Sequence, residues 1–337
     1  MVIDIIIPCF NAHKTLDRLL ASIAMQTVKD DCVVYLVDDC SEKGYEEFRQ
    51  RWLDLLNIEI IELPVNSGPG AARQAGLDES DGDYVVFCDA DDTLATAHAL
   101  EIMAKTMVRE KADIVSGRFV EELDDGSFLP HNSNLVWVFG KMYRRRTIER
   151  FLVRFNDTRA NEDVGFNTVL SNLTDRIANI PQTVYTWHFS PSTITRKNNG
   201  EYTWSSGHKG YVVNMTWAIG ELQQRNVNKE IIRNLATTVL CRLYFMHENI
   251  SEYAMWNVEM SLESIQTFYN ACIRPFVLDG AMHFSYIAET YKKVAKETYK
   301  SENDAEIMHK LTFREYLKKL GYYDDLKTME MNYGNNT

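Results

Sequence analysis

Three carboxylates fall within four residues at 89–92 (DADD), directly after an apolar run at 84–88. Adjacent like charges raise one another's pKa unless an opposite charge compensates them. A hard divalent cation such as Mg²⁺ or Mn²⁺ prefers oxygen ligands and keeps positions open for substrate phosphates. The spacing therefore indicates a metal site at Asp89 and Asp91. The alternative is an acidic loop that caps the next helix, because Asp is a good N-cap residue.

Two further polar clusters follow apolar runs, at 8–11 (PCFN) and at 38–41 (DDCS). A carboxylate of Asp38 or Asp39 could accept hydrogen bonds from a nucleobase N–H or from ribose hydroxyls. A helix cap or an Asx turn explains the same residues equally well. Taken alone, the residue types leave both readings open.

The segment 66–73 (NSGPGAAR) combines a flexible turn, a helix start and an arginine in the first helical turn. Helix N-termini favour anions, and a guanidinium pairs well with phosphate, which makes Arg73 a candidate nucleotide contact. The segment is not a P-loop, since the GK[ST] ending is absent, and it is not GxGxxG.

Strand and helix patterns alternate through the first 120 residues. Strands are predicted at 2–7, 32–37, 58–63, 83–88 and 113–120, and helices at 14–25, 44–56, 71–77 and 97–109. Such alternation implies a mostly parallel sheet covered by helices on both faces. Because ligands bind at the carboxyl ends of the strands in such sheets, the three polar clusters should share one edge.

Later residues follow different patterns. A hairpin turn is predicted at 124–126 (DDG), and the pattern is helical from about residue 205. Amphipathic segments lie near 256–273, 282–298 and 305–320. We predict two domains, 1–204 and 205–337, of which the second selects or positions an acceptor.

The charge balance weighs against nucleic acid as a partner. The 337 residues carry a net charge of -12, and an acidic surface repels phosphate backbones and anionic lipids. Residues 1–200 hold 21 Lys and Arg against 31 Asp and Glu, a net of -10, which leaves -2 for residues 201–337. The nearly neutral second part is therefore the better place for an anionic partner, although an ordinary solvated helical surface explains it more simply.

Cysteine usage and hydropathy indicate a cytoplasmic protein. The six cysteines form no CxxC pair, and Cys9 and Cys88 fall in apolar runs, as small buried hydrophobes do. The N-terminus has no basic region before its short apolar run, so we expect no signal peptide. No stretch of 18 apolar residues occurs, so we expect no transmembrane helix.

Four of these elements occur in a familiar order: 5–11 (IIIPCFN), 37–41 (VDDCS), 66–76 (NSGPGAARQAG) and 87–92 (FCDADD). Together they resemble the inverting family 2 glycosyltransferases with the GT-A fold. The segments 140–145 (GKMYRR), 154–166 (RFNDTRANEDVGF) and 186–196 (TWHFSPSTITR) extend the resemblance to about residue 200. Cys40 departs from it, because the family often has glycine there.

The resemblance implies an α/β GT-A fold, a Rossmann-like mixed sheet flanked by helices, followed by a helical C-terminal region. It also implies a nucleoside-diphosphate sugar as donor, for which we expect a UDP-sugar, and Mn²⁺ or Mg²⁺ as cofactor. Asp91 would be the principal metal ligand, Asp89 would contact ribose or metal, and Asp163 would be the catalytic base with Glu162 in support. The donor-binding residues it implies are Pro8, Phe10, Asn11, Asp38, Asp39, Arg73, Lys141 and Arg144.

Two further points concern His188 and the pair Glu162 and Asp163. His188 could contact the metal or the diphosphate, or could be a core histidine. Glu162 and Asp163 stand at the start of a predicted helix, whose dipole should keep a carboxylate ionised, as a base requires.

The acceptor would be a glycan or another hydroxyl compound. One alternative is transfer to a polymer, either protein or hydroxylated phage-type DNA. The DNA reading would need a basic groove, and its candidates are Arg145, Arg146, Arg150, Arg154 and Arg159. Another alternative is an inactive module that only binds sugar nucleotides.

Overall fold

The computed structural model describes residues 1–190, 209–250, 256–299, 315, 317–318 and 320–334. The chain divides into two compact units, Met1–Lys197 and Asn198–Thr337. The domain boundary predicted at 204/205 falls outside the described residues and stays a prediction.

The first unit is built on one sheet. Its strands are β1 (Ile3–Cys9), β2 (Cys32–Asp38), β3 (Asn57–Glu62), β4 (Tyr84–Phe87), β5 (Thr93–Leu94), β6 (Ile114–Glu122), β7 (Phe128–His131), β8 (Lys141–Arg144) and β9 (Ile177–Trp187). Its helices are α1 (Leu16–Ala24), α2 (Glu46–Trp52), α3 (Pro69–Glu79), α4 (Ala99–Arg109), α5 (Arg145–Phe151) and α6 (Glu162–Ser171). The strand order is β3-β2-β1-β4-β8-β6-β9-β5, with β7 paired to β6.

The sheet is parallel on one side and mixed on the other. Strands β3, β2, β1 and β4 run parallel, whereas β8 lies antiparallel between β4 and β6. The predicted mixed sheet with flanking helices is confirmed. Four neighbouring strands, β3, β2, β1 and β4, run parallel, and β6 and β9 form a second parallel pair. Helix-covered parallel strands are buried on both faces, which is why their sequences are continuous apolar runs.

The carboxyl ends of β1 and β2 meet as predicted. Cys9 stands opposite Asp38 in the parallel register, and the Asn11 backbone N–H donates to Ser41 Oγ at 2.9 Å. On the other side of β1, the Cys88 backbone N–H donates to the Ile6 carbonyl at 3.1 Å. The loops after β1, β2 and β4 therefore share one edge of the sheet.

Helix α3 lies unusually close to the central strands. A Cβ atom at Gly76 would come within 2.5 Å of Ile6 Cγ2 and 3.1 Å of Val37 Cγ2. Only glycine allows this approach, which fixes the height of α3, and with it Arg73, above the sheet.

A buried ion pair fastens the beginning of the chain to α5. Arg145 Nη2 donates to Asp4 Oδ2 at 2.8 Å, and Arg145 Nε donates to the Gly82 carbonyl at 2.7 Å. Arg145 is 7% exposed and Asp4 is fully buried. Arg145 therefore does not lie on a solvated helix start, because its guanidinium compensates a carboxylate inside the domain.

The second unit is helical where it is described. Its helices are α7 (Lys209–Gln224), α8 (Lys229–Ile250), α9 (Trp256–Cys272), α10 (Arg274–Leu278), α11 (Phe284–Tyr299) and α12 (Tyr323–Gly334). This confirms the predicted helices near 256–273 and 282–298, whereas most of 305–320 lies outside the described residues. None of the helices in the described ranges combines the length and the apolar character that crossing a membrane requires.

The Asp4–Arg145 pair gives a stability prediction. We expect Arg145→Ala to lower the free energy of unfolding by about 3–5 kcal/mol, because it leaves a buried carboxylate without its partner. The neighbouring exposed Arg146 provides the control, and Arg146→Ala should change stability by less than about 0.5 kcal/mol. Urea denaturation of the two variants measures both values, and equal losses would refute the assignment.

Candidate active site

The three carboxylates of the acidic loop, residues 89–92, have different environments. Asp92 is 1% exposed, accepts the Tyr185 hydroxyl at 2.9 Å and accepts the His188 backbone N–H at 2.8 Å. Burial, with the nearby charges of Asp89 and Asp91, raises the pKa of Asp92 well above its ordinary value. Asp92 therefore holds the loop together, and only Asp89 and Asp91 remain as candidate metal ligands.

Arg73 lies between this loop and helix α6. Its Nη2 donates to Asp89 Oδ1 and its Nη1 donates to Glu162 Oε1, both at 2.6 Å. The arginine is 5% exposed and Glu162 is 3% exposed. The sequence suggested that Arg73 meets the nucleotide. Instead both terminal nitrogens bind carboxylates, because a charge buried this deeply needs a direct partner.

A glycine makes this arrangement possible. A Cβ atom at Gly70 would lie 2.6 Å from Glu162 Cγ, so a larger residue would push α3 away from α6. The chain enters α6 through Asn161, which has a left-handed φ of 61° that asparagine tolerates better than most residues. Glu162 is consequently held on the first turn of α6 against α3.

Asp163 follows Glu162 in the first turn of α6. Burial raises its pKa to about 7, the Glu162 charge adds to the increase, and the Arg73 charge opposes it. The expectation that the helix start keeps Asp163 ionised is wrong in direction, since desolvation and the adjacent carboxylate outweigh the helix dipole. A carboxylate with a pKa near 7 is suited to accepting a proton at neutral pH.

Of the two predicted basic donor contacts on β8, Lys141 is the one whose charge interacts with that of Asp163. Lys141 is buried, its Nζ donates to the Phe139 carbonyl at 3.2 Å, and burial lowers its pKa to about 7 while Asp163 opposes the decrease. Arg144 instead stands opposite Tyr84 at the start of β4.

The Arg144 guanidinium donates to the Ala112 carbonyl at 2.9 Å and to the Met107 carbonyl at 3.0 Å. These bonds give the Arg144 guanidinium partners within the protein, beside the start of β4 rather than the loop after its end, and its contact with a donor stays a prediction. Its side chain joins β8 to the end of α4.

Asp39 anchors the loop that leads into α3. Its two carboxylate oxygens accept the backbone N–H groups of Ser67 at 2.7 Å and Gly68 at 2.8 Å. Asp38 Oδ1 accepts the Ser41 backbone N–H at 2.8 Å, a local bond to the residue three positions later. These bonds give both carboxylates a role in the protein, in contrast to the nucleobase and ribose contacts that the resemblance implies for them.

The loop after β1 has an exposed aromatic ring. Phe10 is 53% exposed, whereas Pro8 is half-buried. Asn11 Oδ1 accepts the Glu42 backbone N–H at 3.0 Å, which ties this loop to the one after β2. Of the predicted donor contacts at this edge, Phe10 therefore offers an exposed aromatic ring.

His188 is bound on both sides of its ring. Nδ1 lies 2.7 Å from Glu122 Oε2, and Nε2 lies 2.9 Å from Thr93 Oγ1. With both ring nitrogens occupied by protein oxygens, the structure does not present His188 as a metal ligand. In the part of the chain that is described, no three His, Cys, Asp or Glu side chains converge as a complete metal-ligand set.

The sequence of the first unit matches a known family. Residues 4–165 match the family model for glycosyl transferase family 2, a range that includes Asp89, Asp91 and Asp163. These residues form a glycosyl transferase family 2 domain.

Two curated relatives share part of this domain. The chain is 32% identical over 117 residues to a cholesterol galactosyltransferase of Borreliella burgdorferi, which covers 35% of this chain and 32% of the relative. It is 35% identical over 94 residues to the poly(ribitol-phosphate) beta-N-acetylglucosaminyltransferase TarS of Staphylococcus aureus strain Mu50, covering 27% of this chain and 16% of the relative. The matches thus span a third or less of either relative.

The fold likeness extends further than the sequence likeness. The crystal structure of S. aureus TarS 1–349 in complex with UDP matches with a TM-score of 0.68 and 20% identity, over 89% of this chain and 91% of that one. At this identity the likeness establishes the GT-A fold of the family 2 domain.

Several structural residues of the family 2 domain had no signal in the sequence. Tyr185 accepts the Asp89 backbone N–H at 3.0 Å, and Asn167 Oδ1 accepts the Tyr143 hydroxyl at 2.8 Å. Both partners are distant in the chain, and neither tyrosine nor asparagine marks such a contact by itself. A resemblance assigns roles to motif residues but not to the side chains that hold them.

The environment of Asp163 predicts that two substitutions shift its pKa in opposite directions. Glu162→Gln removes a nearby negative charge and should lower the pKa of Asp163, whereas Arg73→Met removes a positive charge and should raise it. An NMR titration of ¹³C-labelled carboxyl groups measures both shifts. Glu79→Gln, at an exposed position on α3, is the control and should leave the pKa of Asp163 unchanged. Shifts of the same sign in the two site variants would contradict this account.

Proposed function

We propose that this chain transfers a sugar from a UDP-sugar to a hydroxyl group of an acceptor, with inversion at the anomeric carbon and with a divalent metal. The observation that carries the proposal is the Asp89–Arg73–Glu162 bridge beside Asp163. It joins the loop suited to a diphosphate to the helix that carries a carboxylate with a pKa near 7.

Inversion requires one displacement at the anomeric carbon. The acceptor oxygen forms the new bond while the nucleoside diphosphate leaves from the opposite face, and the hydroxyl proton passes to a base. Asp163 is the base in this proposal, since at pH 7 a group with its pKa is about half ionised and still basic enough to take a proton. Glu162 acts through its contact with Arg73 and through its charge on Asp163.

The donor side fits a hard divalent ion. After the exclusion of Asp92 and His188, Asp89 and Asp91 remain, and Mg²⁺ typically takes only one or two protein carboxylates beside substrate phosphates. When bound there, Mg²⁺ or Mn²⁺ would neutralise the negative charge of the diphosphate leaving group. Arg73 fixes one oxygen of Asp89, so the direction of that carboxylate is set before any ligand binds.

Two observations support uridine as the nucleoside. One structure with the same fold, that of S. aureus TarS 1–349, is a complex with UDP, and the exposed ring of Phe10 lies at the sheet edge where a base could stack. The two relatives are named for different acceptors, a sterol and a ribitol-phosphate polymer, and both of these acceptors carry hydroxyl groups.

The positions of the arginines weigh against the DNA alternative. Arg145 is buried against Asp4, Arg154 pairs with Asp78 at 2.7 Å, and Arg159 donates to Asn66 Oδ1 at 2.8 Å. Three of the five arginines proposed for that groove are therefore already engaged within the domain.

The base assignment predicts a defect in transfer without a defect in donor binding. Asp163→Asn should reduce transfer about 10²- to 10⁴-fold, because it removes the proton acceptor. UDP affinity by calorimetry should stay near the wild-type value, and the wild-type product should have the inverted anomeric configuration by NMR. Transfer by Asp163→Asn near the wild-type rate, or a product that retains the configuration, would reject the assignment.

The metal and nucleotide assignments predict a second pattern. Asp91→Ala, or excess EDTA with the wild-type protein, should lower donor turnover at least about 10²-fold, because the leaving-group charge is no longer neutralised. With Mn²⁺ present, calorimetry should show tighter binding of UDP than of GDP. Full activity in EDTA would refute the metal, and equal affinities would refute the preference for uridine.

A further inference from the structure

A stack of aromatic rings runs outward from the acidic loop. The Tyr185 and Phe139 rings are parallel with centroids 4.7 Å apart, and the Phe139 and Trp137 rings are parallel with centroids 5.6 Å apart. Tyr185 and Phe139 are buried, whereas Trp137 is only partly buried against the core. The Trp137 ring also contacts the tilted Trp187 ring, with centroids 5.9 Å apart, and keeps part of its surface exposed.

The inner end of the stack is joined to the acidic loop. The Tyr185 hydroxyl accepts the Asp89 backbone N–H at 3.0 Å and donates to Asp92 Oδ2 at 2.9 Å. Trp137 is therefore separated from the residues that the proposed function assigns to the donor by two rings packed in a fixed order.

The segment around Trp137 is also joined to helix α6. Asn167 Nδ2 donates to the Val136 carbonyl at 3.1 Å, and Asn167 lies one helical turn after Asp163. Ser116 Oγ donates to the Asn134 carbonyl at 2.9 Å from the other side. These bonds hold the tryptophan at a set position relative to both Asp163 and the acidic loop, which is what an acceptor subsite requires.

The surroundings of Trp137 combine an aromatic surface with polar groups. Phe119 contacts Trp137 edge-on with centroids 5.6 Å apart and stacks on His131 at 4.6 Å, and His131 Nε2 lies 2.8 Å from Glu121 Oε2. The negative face of an aromatic ring attracts the polarised C–H groups on the face of a pyranose, and the imidazole and carboxylate suit its hydroxyls. An acyclic polyol has no such flat C–H face.

We propose that Trp137 is a stacking platform for a pyranose ring of a saccharide acceptor, with the His131–Glu121 pair beside it. The inference rests on the proposed function, since it names the acceptor class of that site. It assigns acceptor recognition to a residue of the first unit, in addition to any part that the second unit plays.

The test is saturation-transfer-difference NMR of the full chain in the presence of UDP. The buffer contains Mg²⁺ and no Mn²⁺. The probes are methyl β-D-glucopyranoside, methyl β-D-galactopyranoside and methyl α-D-mannopyranoside, with ribitol as the acyclic comparison. We expect ring C–H signals from at least one pyranoside and none from ribitol. Trp137→Ala should weaken pyranoside binding about tenfold, and Trp137→Phe should restore part of it.

The matched control is Trp52→Ala. Trp52 is likewise partly buried against the same core, but it lies on α2 beside β3, and its substitution should leave the pyranoside signal unchanged. UDP affinity, measured on every sample, separates the two proposals. If the wild type binds UDP normally but shows no pyranoside signal, the platform alone is overturned. The platform alone is also overturned if UDP binding is normal and the pyranoside signal of Trp137→Ala equals that of the wild type. No UDP binding by the wild type would count against the proposed function and against the platform with it.

Discussion

The candidate site depends on one buried guanidinium. Arg73 binds carboxylates from two segments that are far apart in the sequence, the loop after β4 and the first turn of α6. Without a positive charge between them, Asp89 and Glu162 would repel each other in a region with little water. The same charge offsets part of the increase in the pKa of Asp163. Donor chemistry and proton transfer are thus linked through one side chain.

This link sets strict demands on the surrounding backbone. Gly76 lets α3 approach the sheet, Gly70 lets α6 approach α3, and Asp39 fixes the loop that begins α3. None of these residues needs to touch a substrate. Their common effect is that the position of Arg73 is determined by packing, so the two carboxylates it binds are oriented before a ligand arrives.

Much of the first half of the fold could be predicted from the sequence. Strands that are buried on both faces have continuous apolar sequences with polar residues at their ends. The meeting of the loops after β1, β2 and β4 followed from that pattern. The insertion of the antiparallel strand β8 did not, since pairing direction depends on tertiary context. The partners of Arg73 and Arg145 were also out of reach, because the sequence shows which residues carry charge but not which opposite charge lies beside them. Asp163 was found by resemblance, whereas the direction of its pKa shift required knowledge of its burial.

The Asp4–Arg145 pair has a consequence for synthesis of the protein in the cell. Strand β1 is central in the sheet, yet the arginine that compensates its buried aspartate is made 141 residues later. At a translation rate of roughly 5–20 residues per second, the interval is on the order of ten seconds. During that time the nascent domain has an unneutralised carboxylate on its central strand and an incomplete sheet, so the finished packing is reached only after α5 has left the ribosome. Until then the apolar residues of β1 lack their final packing, which makes β1 a segment that a chaperone can bind.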